Sequence, residues 1–150
     1  MERIEIKVKR LEGQEDIALP AYETDGSSGM DLRAAVDEEV VLKPGEIKLI
    51  PTGLAVSVPP GFEIQTRPRS GLALKHGIGM VNSPGTIDSD YRGEIKLIMI
   101  NWGRSPFVIR RGDRIAQMLV SSVARAHVKE VADLDQTSRG DGGFGHSGVA

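Results

Sequence analysis

The sequence predicts an all-β protein, folded as an antiparallel sandwich or barrel. Three observations lead to this fold class. Apolar and polar residues alternate in one segment after another, turn sequences interrupt these segments at short intervals, and no amphipathic pattern continues for three helical turns. Many short strands separated by turns rich in Gly and Pro are typical of sandwiches and barrels.

The predicted strands follow the two-residue period of a half-buried strand. Alternate positions are apolar in "RIEIKVKR" and in "GLAVSV", at Ile4, Ile6 and Val8 and at Leu54, Val56 and Val58. The segment "GEIKLIMINWG" is different, because residues 97–100 are all apolar. Such a run predicts a strand that is covered on both faces.

Turn sequences and one short helix complete the predicted elements. Turns are indicated by "KPGE", "PPG", "SPG" and "RRGD", at residues 43–46, 59–61, 83–85 and 110–113. The best helical segment is "SGLALKHG", residues 70–77. In it, Ser70 is suited to cap the first turn and Gly77 to end the last.

The predicted organisation is one domain followed by an arm. A chain of 150 residues fits a single domain of common size. From about residue 134 the sequence becomes polar and rich in glycine, in "DQTSRGDGGFGHSGVA". We therefore expect a β domain over residues 1–134 and a flexible C-terminal arm over residues 135–150.

Composition excludes several classes of protein. The formal net charge of −2 gives no overall attraction to nucleic acid or to an anionic membrane, so we expect neither partner. The absence of cysteine excludes a disulfide framework, a thiolate metal site and a cysteine nucleophile. The N-terminus lacks the apolar segment of a secretory signal, and no run approaches the ~20 apolar residues of a membrane span. A cytoplasmic location is therefore expected.

Familiar catalytic motifs are also missing from the sequence. The three histidines, His76, His127 and His146, do not have the spacing of zinc ligands. Because no Gly-x-Ser-x-Gly sequence is present, a serine hydrolase is not expected. The glycine-rich tail lacks the Gly-Lys-Ser/Thr ending of a Walker loop.

The stretch "RPRSGLA", residues 67–73, has the chemistry of a phosphate site. Arg69, Ser70 and Gly71 bring a fixed cation, a hydroxyl and an unobstructed backbone N–H together at the start of the predicted helix. All three groups can donate to phosphate oxygens. An N-capped surface turn with a solvated arginine accounts for the same residues, so this stretch alone leaves both interpretations open.

The stretch "GTIDSDYRGE", residues 85–94, combines acidic and aromatic side chains. Asp88 and Asp90 point to the same side if the chain is extended, and either could take a proton from water or hold a divalent metal through water. Tyr91 offers a flat face to a sugar or a base. The flanking turn residues predict a hairpin with inward-facing backbone amides, and a solvated hairpin tip is the alternative.

Two isolated polar residues each allow more than one interpretation. Asp31, in "GMDLRAA", suits a structural turn or cap. Gln117 is the only polar residue between Ile115 and Val120. Because a buried amide must be hydrogen-bonded, Gln117 either bonds to the main chain or meets a ligand.

Taken in order, five stretches closely resemble the five motifs of the trimeric deoxyuridine triphosphatases (dUTPases). They are "GSSGMDLRAA" at 26–35, "RPRSGLA" at 67–73, "VNSPGTIDSDYRGEI" at 81–95, "GDRIAQMLV" at 112–120 and "RGDGGFGHSG" at 139–148. The resemblance covers nearly the whole chain. Five motifs in the right order are far more specific than any one of them.

The resemblance implies a function, a fold and an assembly. The reaction would be hydrolysis of dUTP to dUMP and pyrophosphate with Mg²⁺, which supplies dUMP for thymidylate synthesis and keeps uracil out of DNA. The subunit would be jelly-roll-like and would assemble as a homotrimer. Each active site would draw motifs from all three chains.

Matching motif positions imply the roles of individual residues. Asp88 would be the general base that orients and deprotonates the water attacking the α-phosphorus. Tyr91 would pack under the deoxyribose, where a 2′-hydroxyl would clash with it. The uracil edge would meet Asn82 and the backbone of Gly85, Thr86 and Ile87. A tight pocket of this kind can exclude a 5-methyl group and leave a wrong base unpaired.

The resemblance also assigns the phosphates and the metal. The phosphates, in a site of a neighbouring subunit, would be held by Arg69, Ser70, Gly71 and Gln117. Lys96 matches a further substrate contact beside the third motif. Asp31 would act near Mg²⁺ through a bound water, because Mg²⁺ gives up its waters reluctantly.

The tail would close over the substrate as a lid that excludes water. Arg139 would reach the γ-phosphate, Phe144 would stack over the uracil, and the backbone at Gly145 would approach the triphosphate. The family tail has Ser-Thr after "GGFG", where this sequence has His146 and Ser147. His146 either keeps a phosphate hydrogen bond and adds pH dependence near neutrality, or is simply tolerated.

Two other functions fit parts of the sequence. A deoxycytidine triphosphate deaminase resembles this family in fold, but deamination needs a general acid/base at the base ring, usually Glu. The segment "TIDSDY" offers Asp and Tyr instead. A non-catalytic jelly-roll binding module would leave the acidic segment and the tail as solvated loops.

Overall fold

The computed structural model describes residues 3–146 and residue 148. This part of the chain contains ten strands and one short helix, and no helix in it is long and apolar enough to cross a lipid bilayer. In chain order the elements are β1 (Lys7–Arg10), β2 (Met30–Arg33), β3 (Val40–Leu42), β4 (Ile47–Ser57), β5 (Phe62–Pro68), α1 (Ser70–His76), β6 (Ile78–Met80), β7 (Gly85–Ile87), β8 (Glu94–Asn101), β9 (Phe107–Ile109) and β10 (Arg114–Ser122). The all-β prediction is confirmed.

The strands form two four-stranded sheets and one two-stranded ribbon. Their strand orders are β1-β4-β8-β6, β2-β10-β5-β7 and β3-β9, and the pairing is antiparallel throughout. Side chains from both larger sheets meet in one apolar core, which includes Leu32, Ile64, Leu97, Met99 and Met118. The fold is therefore a jelly-roll-like β sandwich with its core between the two larger sheets.

The turn predicted at residues 110–113 is confirmed, and it fixes where β10 begins. A 3.1 Å hydrogen bond from the Asp113 N–H closes the turn, and Gly112 has a left-handed φ of +83°, which favours glycine. The Gly112 N–H donates to the Ala34 carbonyl at 2.8 Å, and its own carbonyl accepts from Arg33 Nη1 at 2.8 Å. These bonds hold the start of β10 against the end of β2.

Arg111, in the same turn, holds the loop that precedes β2. Its guanidinium binds both carboxylate oxygens of Asp16, at 2.7 and 2.8 Å, and donates to Gln14 Oε1 at 2.8 Å. The hydrogen bonds from Arg111 lower the pKa of the Asp16 carboxyl below its ordinary value. The N-terminal loop is thereby tied to the end of the sandwich where β10 begins.

Helix α1 lies where the sequence predicts it, but its N-cap is different. Extended geometry continues from β5 through Arg69, which has φ −95° and ψ 130° and makes no capping bond with its side chain. Ser70 is therefore the first helical residue, and the prediction that it caps the helix is wrong. The predicted end is confirmed, because Gly77 has a φ of +68° and its N–H donates to the Ala73 carbonyl at 3.0 Å.

Strand β8 is buried on one face only. Leu97 and Met99 are buried in the core, whereas Ile98 and Ile100 on the opposite face are half-buried. The prediction that residues 97–100 are covered on both faces is therefore wrong for a single chain. The apolar run is longer than the core of one chain requires.

An apolar surface covers the outer side of this sheet. Leu49 and Ile47 lie opposite Ile98 and Ile100 in the β4–β8 ladder, and they are 57% and 55% exposed. Trp102 follows β8, lies over the neighbouring strand β6 and is 64% exposed. We call this surface the apolar outer face; its members are Ile47, Leu49, Ile98, Ile100 and Trp102.

Among the residues that the structure describes, no strand or helix follows β10, and residues 124–136 are exposed along their whole length. The predicted division into a domain over 1–134 and an arm over 135–150 stays a prediction. Five residues that it includes lie outside the described part of the chain, namely 1, 2, 147, 149 and 150.

Candidate active site

Strand β10 brings three parts of the predicted site together. It lies between β2 and β5, and Gln117 stands opposite Asp31 on one side and Arg67 on the other. Strand β5 ends one residue before Arg69, where α1 follows. A cavity of about 660 Å³, which we call the large cavity, opens between these elements. Of the predicted site residues, its walls contain Asp31, Arg69, Ser70, Gly71 and Gln117.

Asp31 is held between two arginines in the large cavity. Its Oδ1 lies 3.1 Å from Arg69 Nε, and its Oδ2 lies 3.3 Å from Arg114 Nη1. Arg69 Nη1 also donates to the Arg114 main-chain carbonyl at 3.2 Å, which joins the three residues in one network. Because Asp31 lies on β2 and pairs across the sheet, its interpretation as a turn or cap residue is wrong.

The large cavity has an excess of positive charge. Its wall carries Arg69, Arg114 and Lys75 against two carboxylates, those of Asp31 and Glu23. The Arg114 Nη1 lies 3.8 Å from Glu23 Oε1, so both carboxylates are paired with an arginine. A cavity of this charge favours a small polyanion.

The first turn of α1 adds backbone donors to the same cavity. The first N–H groups of a helix have no acceptor within the helix. In α1 the first internal bond runs from the Ala73 N–H to the Arg69 carbonyl, at 3.0 Å. Ser70, Gly71 and Leu72 precede that bond and line the cavity. Backbone N–H groups, a hydroxyl and a guanidinium are therefore offered to one anion.

The Gln117 amide is held by the main chain and also faces the large cavity. Its Nε2 donates to the Pro68 carbonyl at 2.9 Å. Its Oε1 lies against Gly29, where a Cβ atom would come within 2.5 Å of it. The main-chain bond that the sequence allowed for this residue is confirmed, and the fixed amide keeps a second N–H, so a ligand contact stays a prediction.

A second cavity, of about 300 Å³, contains the other predicted residues of the β domain; we call it the small cavity. Its lining residues are Thr66, Asn82, Gly85, Thr86, Ile87, Asp88, Tyr91, Glu94, Ile95 and Lys96. Among the described residues, none lines both cavities.

The floor of the small cavity is tightly packed. Thr66 and Gly85 stand opposite each other in the β5–β7 ladder. A Cβ on residue 85 would overlap the Thr66 hydroxyl and would lie 3.2 Å from Asn82 Nδ2. Glycine at this position therefore lets the Asn82 amide and the Gly85 backbone face the same small space.

The segment 81–95 is not the two-stranded hairpin that the sequence predicts. Strand β7 pairs with β5, and β8 pairs with β4 and β6, so the two arms of the segment belong to different sheets. Gly85 and Ile87 are buried, and β7 is the edge strand of the second sheet. Turn chemistry predicted a reversal here, but it carries no information about which sheet receives each arm.

The turn after β7 presents Asp88 and Tyr91 to the small cavity. The Tyr91 N–H donates to the Asp88 carbonyl at 3.1 Å, so the chain bends and Asp88 and Asp90 do not share the face of a strand. Asp88 lines the cavity, and its carboxylate is exposed. The Tyr91 hydroxyl donates to the Glu94 carbonyl at 3.0 Å, which holds the phenol ring beside the cavity.

Glu94 positions the neighbouring lysine. Lys96 Nζ lies 3.7 Å from Glu94 Oε2, while Glu94 Oε1 accepts a 2.9 Å hydrogen bond from the Gly53 N–H. Gly53 lies where the β4–β8 register shifts. Glu94 therefore connects the wall of the small cavity to the point in β4 where the register with β8 shifts.

The predicted residues of the arm, Arg139, Phe144 and Gly145, line neither cavity in the described chain. Arg139 Nε donates to the Gly142 carbonyl at 2.7 Å, and Phe144 is fully exposed. The His146 ring packs on Gly142, where a Cβ would lie 2.7 Å from its Cδ2. Within one chain, the arm contacts itself at these points.

Sequence analysis missed Arg114 and Glu94, although both belong to stretches that it singled out. Arg114 stands in "GDRIAQMLV", and Glu94 ends "GTIDSDYRGE". Their partners are distant in sequence, 83 residues away for the bond between Arg114 and Asp31 and 41 residues away for that between Glu94 and Gly53. The sequence signal available for both residues was a charged side chain inside a motif.

An antiparallel β sandwich with a cationic cavity and a small polar cavity has the features of a nucleotide-binding protein. The dUTPase family model matches residues 15–148. Deoxyuridine 5'-triphosphate nucleotidohydrolases of Maricaulis maris and Caldanaerobacter subterraneus subsp. tengcongensis are 59% and 56% identical to the chain. The alignments cover 99% of this chain and 99% of the first relative, and 97% and 99% for the second.

A solved structure is similar over the same length. The dUTPase of Staphylococcus bacteriophage 80alpha with dUpNHpp has a TM-score of 0.86 and 26% sequence identity, over 97% of this chain and 99% of that chain. The chain belongs to the dUTPase family. The resemblance and the fold class predicted from the sequence are both confirmed.

Proposed function

We propose that this protein hydrolyses dUTP to dUMP and pyrophosphate in active sites shared between the subunits of a homotrimer. One observation carries the proposal most directly. The chain belongs to a family whose members are named for this reaction, and it holds two cavities of different chemistry. One cavity is suited to phosphates, and the other is suited to a base and a sugar. Each cavity is half of what a nucleoside triphosphate requires.

The small cavity takes the deoxyuridine. Asn82 and the backbone of Gly85, Thr86 and Ile87 pair with the uracil edge, and the tight floor leaves no space for a 5-methyl group. Tyr91 packs under the deoxyribose and excludes a 2′-hydroxyl by contact. Discrimination against other bases rests on polar groups that a wrong base leaves unpaired. Lys96, at the rim, makes a further substrate contact.

The large cavity takes the phosphates. Arg69 and Arg114 bring fixed positive charge, while Ser70, Gly71 and Gln117 bring oriented hydrogen-bond donors. When water attacks the α-phosphorus, negative charge moves onto the oxygens that leave with pyrophosphate. Donors that are already in place stabilise this charge more than they stabilise the bound substrate.

Asp88 starts the reaction as the general base. Its carboxylate orients a water molecule and takes one of its protons while the water oxygen bonds to the α-phosphorus. The bond from that phosphorus to the oxygen bridging to the β-phosphate breaks, and pyrophosphate leaves. The exposed carboxylate of Asp88 at the rim of the small cavity is available for this proton transfer.

Asp31 fits a contact with Mg²⁺ through water. Among the described residues, no group of three His, Cys, Asp or Glu side chains could hold a metal ion by itself. The Asp31 carboxylate already binds two arginines, which disfavours a direct metal bond. Mg²⁺ commonly keeps its waters and binds through one carboxylate together with substrate phosphates. When bound with the triphosphate, Mg²⁺ would neutralise part of the phosphate charge.

The surface of the chain supports assembly with further copies. The apolar outer face exposes several large side chains, and fully covering one Leu or Ile contributes about 1.5–3 kcal/mol. Val128 and Leu134, in the exposed segment 124–136, are 89% and 84% exposed. A trimer that covers such surfaces can also bring the large cavity of one subunit to the small cavity of another.

The arm closes over a site as a lid. Arg139 reaches the γ-phosphate, Phe144 stacks on the uracil and Gly145 lets the backbone approach the substrate. The full exposure of Phe144 in a single chain supports this role, because an aromatic ring gains by packing. A cytoplasmic location and the absence of a nucleic-acid partner stay predictions.

A deaminase is the less favoured function. Deamination needs a carboxyl group that is free to exchange protons with the base ring. Glu94 lines the small cavity, but its carboxylate is occupied by the Gly53 N–H and stands 3.7 Å from Lys96. The relatives at 56–59% identity are named as hydrolases.

Substrate selectivity tests the proposed reaction. We expect pyrophosphate release from dUTP with Mg²⁺, and a kcat/KM lower by roughly 10²-fold or more for dCTP, dTTP and UTP. Absence of dUTP turnover by the folded oligomer would contradict the proposal. Release of ammonia from dCTP would favour the deaminase.

Asp88→Asn tests the general base. The variant keeps the shape of the side chain but cannot take a proton, so kcat falls by roughly 10²–10⁴-fold. Binding of the non-hydrolysable analogue dUpNHpp, measured by calorimetry, stays within a few-fold of the unsubstituted enzyme. Loss of this binding together with a lower melting temperature would show that Asp88 is structural.

Removal of residues 138–150 tests the lid. The shortened chain keeps its strands, and we expect it to fold and assemble with an unchanged melting temperature. Its kcat/KM for dUTP falls by roughly 10²-fold or more, because the lid contacts are lost. Full activity of the shortened chain would mean that the arm has no part in the site.

A further inference from the structure

The ring of Tyr91 lies directly on the backbone of Gly93. A Cβ on residue 93 would overlap the Tyr91 hydroxyl oxygen and would lie 2.6 Å from ring atom Cζ and 3.0 Å from Cε2. Non-bonded atoms repel strongly at such separations. The ring therefore occupies the space that any other L-residue at position 93 would fill.

Glycine at position 93 is explained by the ring and not by the backbone. Gly93 is not among the glycines with a positive φ in the described chain, so its backbone conformation is open to other residues. The three heavy atoms nearest to the position of its Cβ all belong to Tyr91. Tyr91 is therefore the contact that a side chain at position 93 would disturb first.

The other restraints on Tyr91 act at its two ends. Its N–H donates to the Asp88 carbonyl at 3.1 Å, and its hydroxyl donates to the Glu94 carbonyl at 3.0 Å. Arg92 Nη1 donates to the Tyr91 carbonyl at 2.8 Å and to the Ser89 carbonyl at 2.7 Å, which tightens the turn. The backbone of Gly93 supports the ring at its hydroxyl end, where the ring atoms nearest to the Cβ position lie.

We propose that Gly93 is a specificity-determining positioning residue, which sets the depth of the Tyr91 ring and thereby the selection of deoxyribose over ribose. The proposal rests on the proposed function, in which this ring packs under the sugar. A steric filter for a single hydroxyl works only if the ring is held at a fixed depth. Gly93 is the surface against which the ring stops.

Gly93→Ala tests this role. The added methyl group pushes the ring off its support and breaks the bond to the Glu94 carbonyl, while the backbone needs no change. We expect the ratio of kcat/KM for dUTP to that for UTP to fall about tenfold or more. Single-turnover measurements at high enzyme concentration make the slow UTP reaction measurable.

A double-mutant cycle separates positioning from a general structural effect. With Tyr91→Ala as the starting protein, Gly93→Ala has no ring to displace, so the dUTP/UTP ratio stays within about twofold. If Gly93→Ala lowers the melting temperature when Tyr91 is present, it should not lower the melting temperature of the Tyr91→Ala protein, because there the clash is gone. This difference keeps the proposal testable even if the single variant folds poorly.

Gly61→Ala is the control for a general loss of stability, since a Cβ at residue 61 meets nothing within 4 Å but the φ of +88° strains alanine. It leaves the dUTP/UTP ratio unchanged. An unchanged ratio in folded Gly93→Ala would overturn the proposal, as would an equal fall of the ratio in the Tyr91→Ala protein. An unsubstituted enzyme that turns over dUTP but does not select it over UTP would overturn this inference and the proposed role of Tyr91, whereas absence of dUTP turnover would overturn the proposed reaction as well.

Discussion

The pairing of β10 with β2 on one side and β5 on the other is the constraint on which the geometry of the large cavity depends. This ladder sets Gln117 opposite Asp31 and brings Arg69 to the same edge. Partly exposed ion pairs contribute only about 0–1 kcal/mol each, so the Asp31, Arg69 and Arg114 network does not hold the sheet together. The buried side chains of β10, such as Met118, stabilise the sheet instead, by about 1.5–3 kcal/mol each.

The same ladder explains why the site geometry is so well defined. A shift of the β10 register by one residue would turn Gln117 toward the core and Ala116 toward the cavity. The bonds from Gly112, two residues before β10, to the end of β2 oppose such a shift. The ion pairs in the cavity fix the Arg69 guanidinium beside Asp31 rather than stabilise the fold.

Much of the fold follows from local sequence, and much of the site does not. The strands are predictable because period-two alternation is a local property, and the turn at 110–113 because Gly112 supplies a positive φ. The bond between Arg114 and Asp31 spans 83 residues of sequence, so it exists only once the register is set. The pairing of β7 with β5 likewise joins strands that are not neighbours in the sequence, which is why the hairpin prediction failed.

The apolar run at residues 97–100 shows another limit. From the sequence it predicts burial on both faces, but one chain supplies a cover for only one of them. In the proposed trimer, other subunits would supply the second cover. Phe144 is likewise fully exposed in the described part of the chain, and the proposed lid would give its ring a surface to pack on.

We propose that each active site combines the small cavity of one subunit with the large cavity of another. The most direct test of this proposal mixes Asp88→Asn chains with Arg69→Ala chains by co-refolding, since each pure oligomer has a defect in every site. Random mixing of equal amounts should restore about a quarter of the unsubstituted activity, because that share of sites receives two intact halves. A doubly substituted chain mixed with unsubstituted chains serves as the control and should also give about a quarter. No recovery in mixed Asp88→Asn and Arg69→Ala oligomers would contradict the account, because it would mean that both halves of a site come from the same chain.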